Sequence, residues 1–164
     1  LVVLPITLPG IVTGIALNAT FTSALGVTLG LATVIVGHAT FCIVIVFNNI
    51  QARLRRLGTS MQDASADLGA SSWQTFAYVT FPMMRGALLA GAILAFALSF
   101  DEIVVTTFTA GPTVQTLPIW IFGNLFRPNQ APVINVVAAT LTIVAVIPVW
   151  LAQRFGGDPA AARV

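Results

Sequence analysis

The sequence predicts an all-α membrane protein, a polytopic helical bundle, and three observations carry that expectation. Hydrophobic residues make up 57% of the 164 residues and charged residues only 7%, whereas a water-facing domain is about 25% charged. Residues 1–52 contain no Asp, Glu, Lys or Arg. The charges that do occur are gathered into short segments between apolar runs. All seven cations are Arg, so the formal charge of +2 reflects few groups and points to no nucleic-acid partner.

Taken in order, residues 1–52 would form a single helix about 78 Å long at ~1.5 Å per residue, against a hydrocarbon core of ~30 Å. They are therefore expected to cross twice, over about 3–21 and 28–48, with "TSALGV" as the turn. Pro5, Pro9 and Gly10 crowd the start of the first span. That pattern fits a kinked helix end or a break lining a pathway, and both are tolerated where neighbours satisfy the backbone. A polar loop follows over 49–83. "FPMMRGALLAGAILAFALSFDEIVVTTFTAG" supplies a third span over about 84–107. "GPTVQTLPIWIFGNLFRPNQAP" reads as a long connection with a short helix near 117–125, and "VINVVAATLTIVAVIPVWLAQRF" as a fourth span over about 133–153. Residues 156–164 read as a frayed C-terminal tail. The start has no basic region of a secretory signal and opens on Leu, so the chain reads as the C-terminal part of something longer.

Orientation follows from the arginines. Arg53, Arg55, Arg56 and Arg85 flank the 49–83 loop, and Arg154 and Arg163 follow the fourth span on the same side, leaving Arg127 opposite. An excess of Arg marks the cytoplasmic face. The 49–83 loop and the C-terminus are therefore expected in the cytoplasm, with 22–27 and 108–131 outside.

Within the loop, Gln62 to Leu68 predicts a short helix, because Asp63 suits its positive N-terminal end and Ala64 and Ala66 favour helix. Gly69 is placed to stop it. Ser71 or Ser72 is placed to cap a second helix from Trp73, whose Trp73, Phe76 and Val79 or Thr80 share a face, with Pro82 ending the element. Two helices with a glycine stop between them make a projecting knuckle, either an interfacial space-filler or a docking knob for another protein.

Those residues resemble the EAA loop of ABC-importer permeases, whose usual form is Glu-Ala-Ala, a variable residue, Asp, an apolar residue, Gly and Ala, then an apolar helix ending in Leu-Pro. Asp63 stands at the Glu position, Ala64 and Ser65 at the Ala pair, and Asp67, Leu68, Gly69 and Ala70 match fully; Phe81 and Pro82 stand for Leu-Pro. "GHATFCIVIV", "LAFALSFDEIVVTTFTAGP", "TLPIWIF" and "INVVAATL" extend the likeness over essentially the whole chain, most closely to the spermidine/putrescine branch. The resemblance implies the type I ABC-importer permease fold with about four of the usual six spans present. It implies coupling to a cytoplasmic ABC ATPase dimer through Asp63, Ala64, Ser65, Asp67, Leu68, Gly69 and Ala70. It also implies a second permease subunit, an extracytoplasmic solute-binding protein, and ATP with Mg²⁺ used by the ATPase, while this chain binds no cofactor and catalyses nothing. The chain has no Lys and so no phosphate-binding GxxxxGK[ST] loop. Ferric ion, thiamine or an opine are the alternative solutes within the same superfamily, and a channel or structural subunit without an ATPase is the alternative outside it.

Asp101 and Glu102 lie in the outer half of the expected third span. An acid at a helix centre costs roughly 2.5–3.5 kcal/mol on insertion scales, so at least one should face a polar cavity, a cation or a neighbouring helix end. Either one caps a neighbouring helix or pairs with an Arg elsewhere in the complex, or the two form a polyamine cation site. Thr106, Thr107 and Trp120 are weaker candidates for the same path, Trp120 through stacking on an ammonium. His38, the one histidine, is expected to make a helix–helix hydrogen bond rather than to bind metal. Cys42 is expected to pack as a small hydrophobe.

Overall fold

The structure is a computed structural model and describes residues 10–156. Every regular element among them is helical. Helix α1 (Gly10–Ala19) runs into a wider π turn, Thr20–Ala24, closed by the Leu25 N–H on the Thr20 carbonyl at 3.0 Å. After an irregular stretch, α2 (Leu31–Leu57) crosses the molecule. A short helix α3 (Ser60–Asp67) follows, then α4 (Ser72–Thr75), a second π turn (Phe76–Thr80) and α5 (Phe81–Phe100), which together make one continuous rod. The chain then breaks at 101–103, forms α6 (Val104–Thr109) and α7 (Leu117–Asn124), and returns through a single 3₁₀ turn (Pro128–Gln130) into α8 (Ala131–Gly156).

Among the described residues three helices are long and apolar enough to cross a membrane, Leu31–Leu57, Ser72–Phe100 and Pro128–Trp150, and Gly10–Ala24 is a shorter apolar helix. The first expected span, 3–21, is thus seen from Gly10 onward; Pro5, Pro9, the tail beyond Gly156 and Arg163 lie outside the described residues.

Two sequence expectations need correction. The loop placed at 49–83 is much shorter, because α2 continues to Leu57 and the next rod already begins at Ser72. Asn48, Asn49, Gln51, Arg53, Arg55 and Arg56 mark where the apolar run stops, yet Gln and Arg are good helix formers, so the helix outlasts the apolar run. Nor does Pro82 end an element: it sits in the first turn of α5 inside the continuous rod. Proline removes an N–H and crowds the carbonyl four residues back. The π turn just before it lets the Phe81 N–H bond the Phe76 carbonyl five residues back, which absorbs the misfit without breaking the rod.

The third span, expected as one rod over 84–107, is also corrected. Helix α5 stops at Phe100, with the Asp101 N–H making the final bond to Ala97 at 3.3 Å. Two adjacent acids followed by Ile103, Val104, Val105, Thr106 and Thr107 give a run of low helix propensity. The chain turns there, and α6 packs against α1 and the start of α2 instead of prolonging α5.

The core sits where α2 meets α5 and where α1 and α2 meet α6. Close approach needs glycine at two points. A Cβ on Gly91 of α5 would lie 3.0 Å from the Val46 Cα of α2, and one on Gly14 of α1 would lie 2.6 Å from the Phe108 ring of α6. Polar side chains pin α6 from both sides. The Asn18 amide donates to the Phe108 carbonyl at 2.7 Å, and the buried Thr33 hydroxyl accepts the Gly30 N–H at 2.8 Å and donates to the Thr109 carbonyl at 2.7 Å.

Candidate functional sites

Two places in this fold have unusual chemistry: the knuckle between α2 and α5, and the break after α5.

The knuckle is built by local rules. Helix α3 ends in a full Schellman turn: the Gly69 N–H bonds the Ala66 carbonyl at 2.8 Å and the Ala70 N–H bonds the Ser65 carbonyl at 3.1 Å. That turn requires a left-handed residue, and Gly69 has φ +79° with open space around it. Ser71 then opens α4 with a capping box. Its N–H donates to the Gln74 side-chain oxygen at 2.8 Å, and its hydroxyl receives the Gln74 N–H at 3.4 Å. The glycine stop and the serine cap are where the sequence places them.

Two side-chain bonds fold α3 back onto the rod. Ser65 and Thr75 share a hydroxyl–hydroxyl bond of 2.9 Å, and the Gln62 amide donates to the Thr80 hydroxyl at 3.3 Å. Ser65 is the position that departs from the Ala pair of the EAA pattern, and here its hydroxyl supplies a tie that an alanine lacks. The Arg53 guanidinium Nε donates to the Met83 carbonyl at 3.3 Å, joining the ends of the two long helices beside the knuckle. The rest of the predicted set faces outward. Asp63, Ala64, Asp67 and Gly69 are exposed, Ser65 and Ala70 are half-buried, and Leu68 at the tip is 89% exposed. Trp73 and Tyr78 are 73% and 80% exposed, and the Trp73, Phe76 and Phe81 rings form a ladder with centroids 5.7 and 6.2 Å apart. An apolar tip standing clear of the chain's own core suits a partner's groove or the membrane interface.

At the break, Asp101 is exposed and sits at the C-terminal end of α5. Glu102 is half-buried, and one of its carboxylate oxygens accepts the Val105 N–H at 2.8 Å in the first turn of α6. Glu102 thus satisfies an orphan donor at the positive end of α6, which was one of the two sequence readings for these acids. Thr106 is completely buried and donates to the Glu102 carbonyl at 2.6 Å; it therefore lines no open surface. Thr107 is exposed and bonds the Ile103 carbonyl at 2.7 Å. Trp120 lies half-buried on α7, which packs on the start of α8, and among the described residues no hydrogen bond ties its ring to the acids. The structure therefore gathers Asp101, Glu102 and Thr106 at one break and leaves Trp120 on a separate element.

His38 makes the expected helix–helix contact twice over. Its Nδ1 lies 2.8 Å from the Ser99 hydroxyl at the end of α5, and its Nε2 lies 2.8 Å from the Thr106 hydroxyl in α6. No sequence pattern named Ser99 as a partner; a lone intramembrane histidine must find bonds, but which helix supplies them depends on packing. Cys42 packs against α5, with its thiol 3.5 Å from the Ala95 carbonyl.

A sequence profile described as "Binding-protein-dependent transport system inner membrane component" matches residues 1–155. The putrescine transport system permease protein PotI of Escherichia coli K12 is 36% identical over 142 residues, covering 84% of this chain and 50% of that protein. The spermidine/putrescine transport system permease protein PotC of the same strain is 32% identical over 150 residues, covering 92% of this chain and 56% of that protein. The inner membrane ABC transporter permease protein YdcU is 36% identical over 107 residues, covering 65% of this chain and 32% of that protein. The chain thus spans about half the length of the curated relatives it matches. With a family match over nearly every residue, membrane-length helices and the knuckle between two of them, the chain belongs to the binding-protein-dependent transport system inner membrane component family and has its type I ABC permease fold.

Proposed function

We propose that this chain forms part of the translocation path of an ATP-driven polyamine importer and receives its drive through the knuckle at 58–71. One observation carries the coupling: a short helix, stopped by Gly69 and clipped back by Ser65 and Gln62, stands between two membrane-length helices with Leu68 exposed at its tip. A push on such a knob moves both rods together, which is what a two-state transporter needs from its drive element. The proposed partners are a cytoplasmic ABC ATPase dimer seated on Asp63 to Ala70, a second permease subunit and an extracytoplasmic solute-binding protein. The ATPase uses ATP and Mg²⁺; this chain supplies binding and movement. The polyamine substrate rests on the relatives' names together with the acids at the break, where carboxylates at a gap between helices suit ammonium groups. Asp101, exposed and outside the cap, is the leading contact, with Glu102 second.

The test uses the full-length permease assembled with its partner subunits. Asp101→Asn with Glu102→Gln is expected to impair uptake of labelled putrescine or spermidine while the complex still assembles; unimpaired uptake would remove the acids from the path. Gly69→Pro or Asp67→Arg is expected to abolish co-purification with the ATPase, and retention of the ATPase in both variants would count against the knuckle. Uptake of ferric ion, thiamine or an opine in place of polyamine would move the substrate and leave the coupling reading standing.

A further inference from the structure

We propose that His38 and Thr106 act as positioning residues that set where the acids of the 101–103 break stand, an inference that rests on the polyamine-path reading above. Across 101–103 the helical ladder is interrupted, so helix hydrogen bonding does not fix α6 relative to α5. The histidine ring bridges that gap. Ser99 lies two residues before Asp101 and Thr106 four residues after Glu102, and His38 bonds both at 2.8 Å from the first third of α2.

The chemistry also fixes the direction of the bonds. Thr106 has a single hydroxyl proton, and it goes to the Glu102 carbonyl at 2.6 Å. Toward His38 the same oxygen therefore accepts, so Nε2 carries the ring proton and Nδ1 accepts from Ser99. Ser99 donates to His38, His38 donates to Thr106 and Thr106 donates to the Glu102 carbonyl, so the bonds run one way in a chain from Ser99 to the Glu102 backbone. Glu102 in turn holds its carboxylate on the Val105 N–H at 2.8 Å. Moving the ring cuts the link from Ser99 to Thr106, and removing the Thr106 hydroxyl also releases the Glu102 carbonyl; either change frees α6 to shift relative to α5 and moves the acids between them. Thr106 is completely buried, so it reaches the path through Glu102 and does not touch a solute.

The experiment separates this role from simple packing. Thr106→Val keeps the shape and loses the hydroxyl; Thr106→Ser keeps the hydroxyl and loses a methyl. In the assembled transporter in proteoliposomes, Thr106→Val and His38→Leu are each expected to raise the KM for putrescine about tenfold with Vmax nearly unchanged, the scale of one buried hydrogen bond left unmade. The double variant should be no worse than either single one, since both cut the same chain, and Thr106→Ser should behave as wild type. A second arm needs no substrate. With other cysteines removed, Asp101→Cys is labelled by a charged thiol reagent, and Thr106→Val should change the labelling rate several-fold while Thr106→Ser does not. If the wild type carries no polyamine, the substrate reading falls and the labelling arm still decides the positioning claim. Thr106→Val indistinguishable from wild type in labelling, or Thr106→Ser as damaging as Thr106→Val, would overturn it.

Discussion

Glycines with left-handed backbones show how differently one residue type is used along this chain. Gly26, Gly69 and Gly111 have φ of +63°, +79° and +66°, a region that costs an L-residue roughly 1–2 kcal/mol. Around Gly26 and Gly69 there is open space, whereas a Cβ on Gly111 would lie 2.6 Å from the Leu29 carbonyl oxygen and 2.9 Å from its carbon. Backbone cannot swing aside as a side-chain tip can. Alanine at Gly26 or Gly69 should therefore cost only the torsional strain, about 1–2 kcal/mol, and alanine at Gly111 distinctly more, because the loops on either side must part. Thermal midpoints of the purified transporter carrying each substitution check the ranking; equal shifts at Gly69 and Gly111 would show that the loop contact at Gly111 contributes nothing. Gly69 was predictable from sequence because a Schellman stop is a local device following a short helical pattern. Gly111 was not, since its partner Leu29 lies far away in sequence and no periodicity announces a loop-to-loop contact.

At the scale of elements, the π turn at Phe76–Thr80 sets the face that the knuckle presents. Pro82→Ala restores the missing donor and removes the clash with the carbonyl of Tyr78, so the rod is free to return to α-helical register. Loss of the extra residue turns everything before Phe76 by about 100° relative to α5. Gln62 then no longer faces Thr80, a bond of 3.3 Å in the present register, whereas Ser65 and Thr75 both lie before the turn and keep their 2.9 Å bond. A cysteine pair at Gln62 and Thr80 spans the turn and reads the register directly: with other cysteines removed it should oxidise more readily in the parent than after Pro82→Ala. Equal oxidation in both would mean that the turn persists without the proline. Helix starts and stops within the knuckle followed from Ser71 and Gly69, because caps are short-range chemistry. The helix limits at Leu57 and Ser72 did not, because polarity reports where the apolar run ends and says little about where hydrogen bonding ends. The break after Phe100 was hidden for a related reason: apolar content continues through Ile103 to Val105, and the signal lay in two acids followed by a β-branched run.

For the whole molecule, connectivity sorts the loops to two ends. Helix α2 has 27 residues and the rod from Ser72 to Phe100 has 29, about 40 and 43 Å at ~1.5 Å per residue, enough to cross a ~30 Å hydrocarbon core and project beyond it. The knuckle lies at one end of both. At the other end the 22–29 loop meets Pro112 and Thr113 around an open cleft of about 640 Å³, a pairing the sequence reading anticipated only by placing both segments on the outer side. Helix α8 leaves much apolar surface uncovered: Val136, Ile143 and Val146 are exposed by 66%, 67% and 57%. Such a surface suits lipid or the helices of a partner subunit. Orientation is then a question of which end carries the positive charge. Arg53, Arg55, Arg56 and Arg85 belong to the helices flanking the knuckle, Arg154 lies near the end of α8 with its guanidinium 5.1 Å from the Trp150 ring, and Arg127 lies between α7 and α8. Arg-rich ends stay in the cytoplasm. Single cysteines at Thr113 and at Met61, which is 57% exposed on α3, should therefore react from opposite sides. In intact spheroplasts a membrane-impermeant maleimide should label Thr113→Cys and spare Met61→Cys until the membrane is opened; the reverse pattern would invert the whole assignment and place the knuckle beyond the reach of a cytoplasmic ATPase.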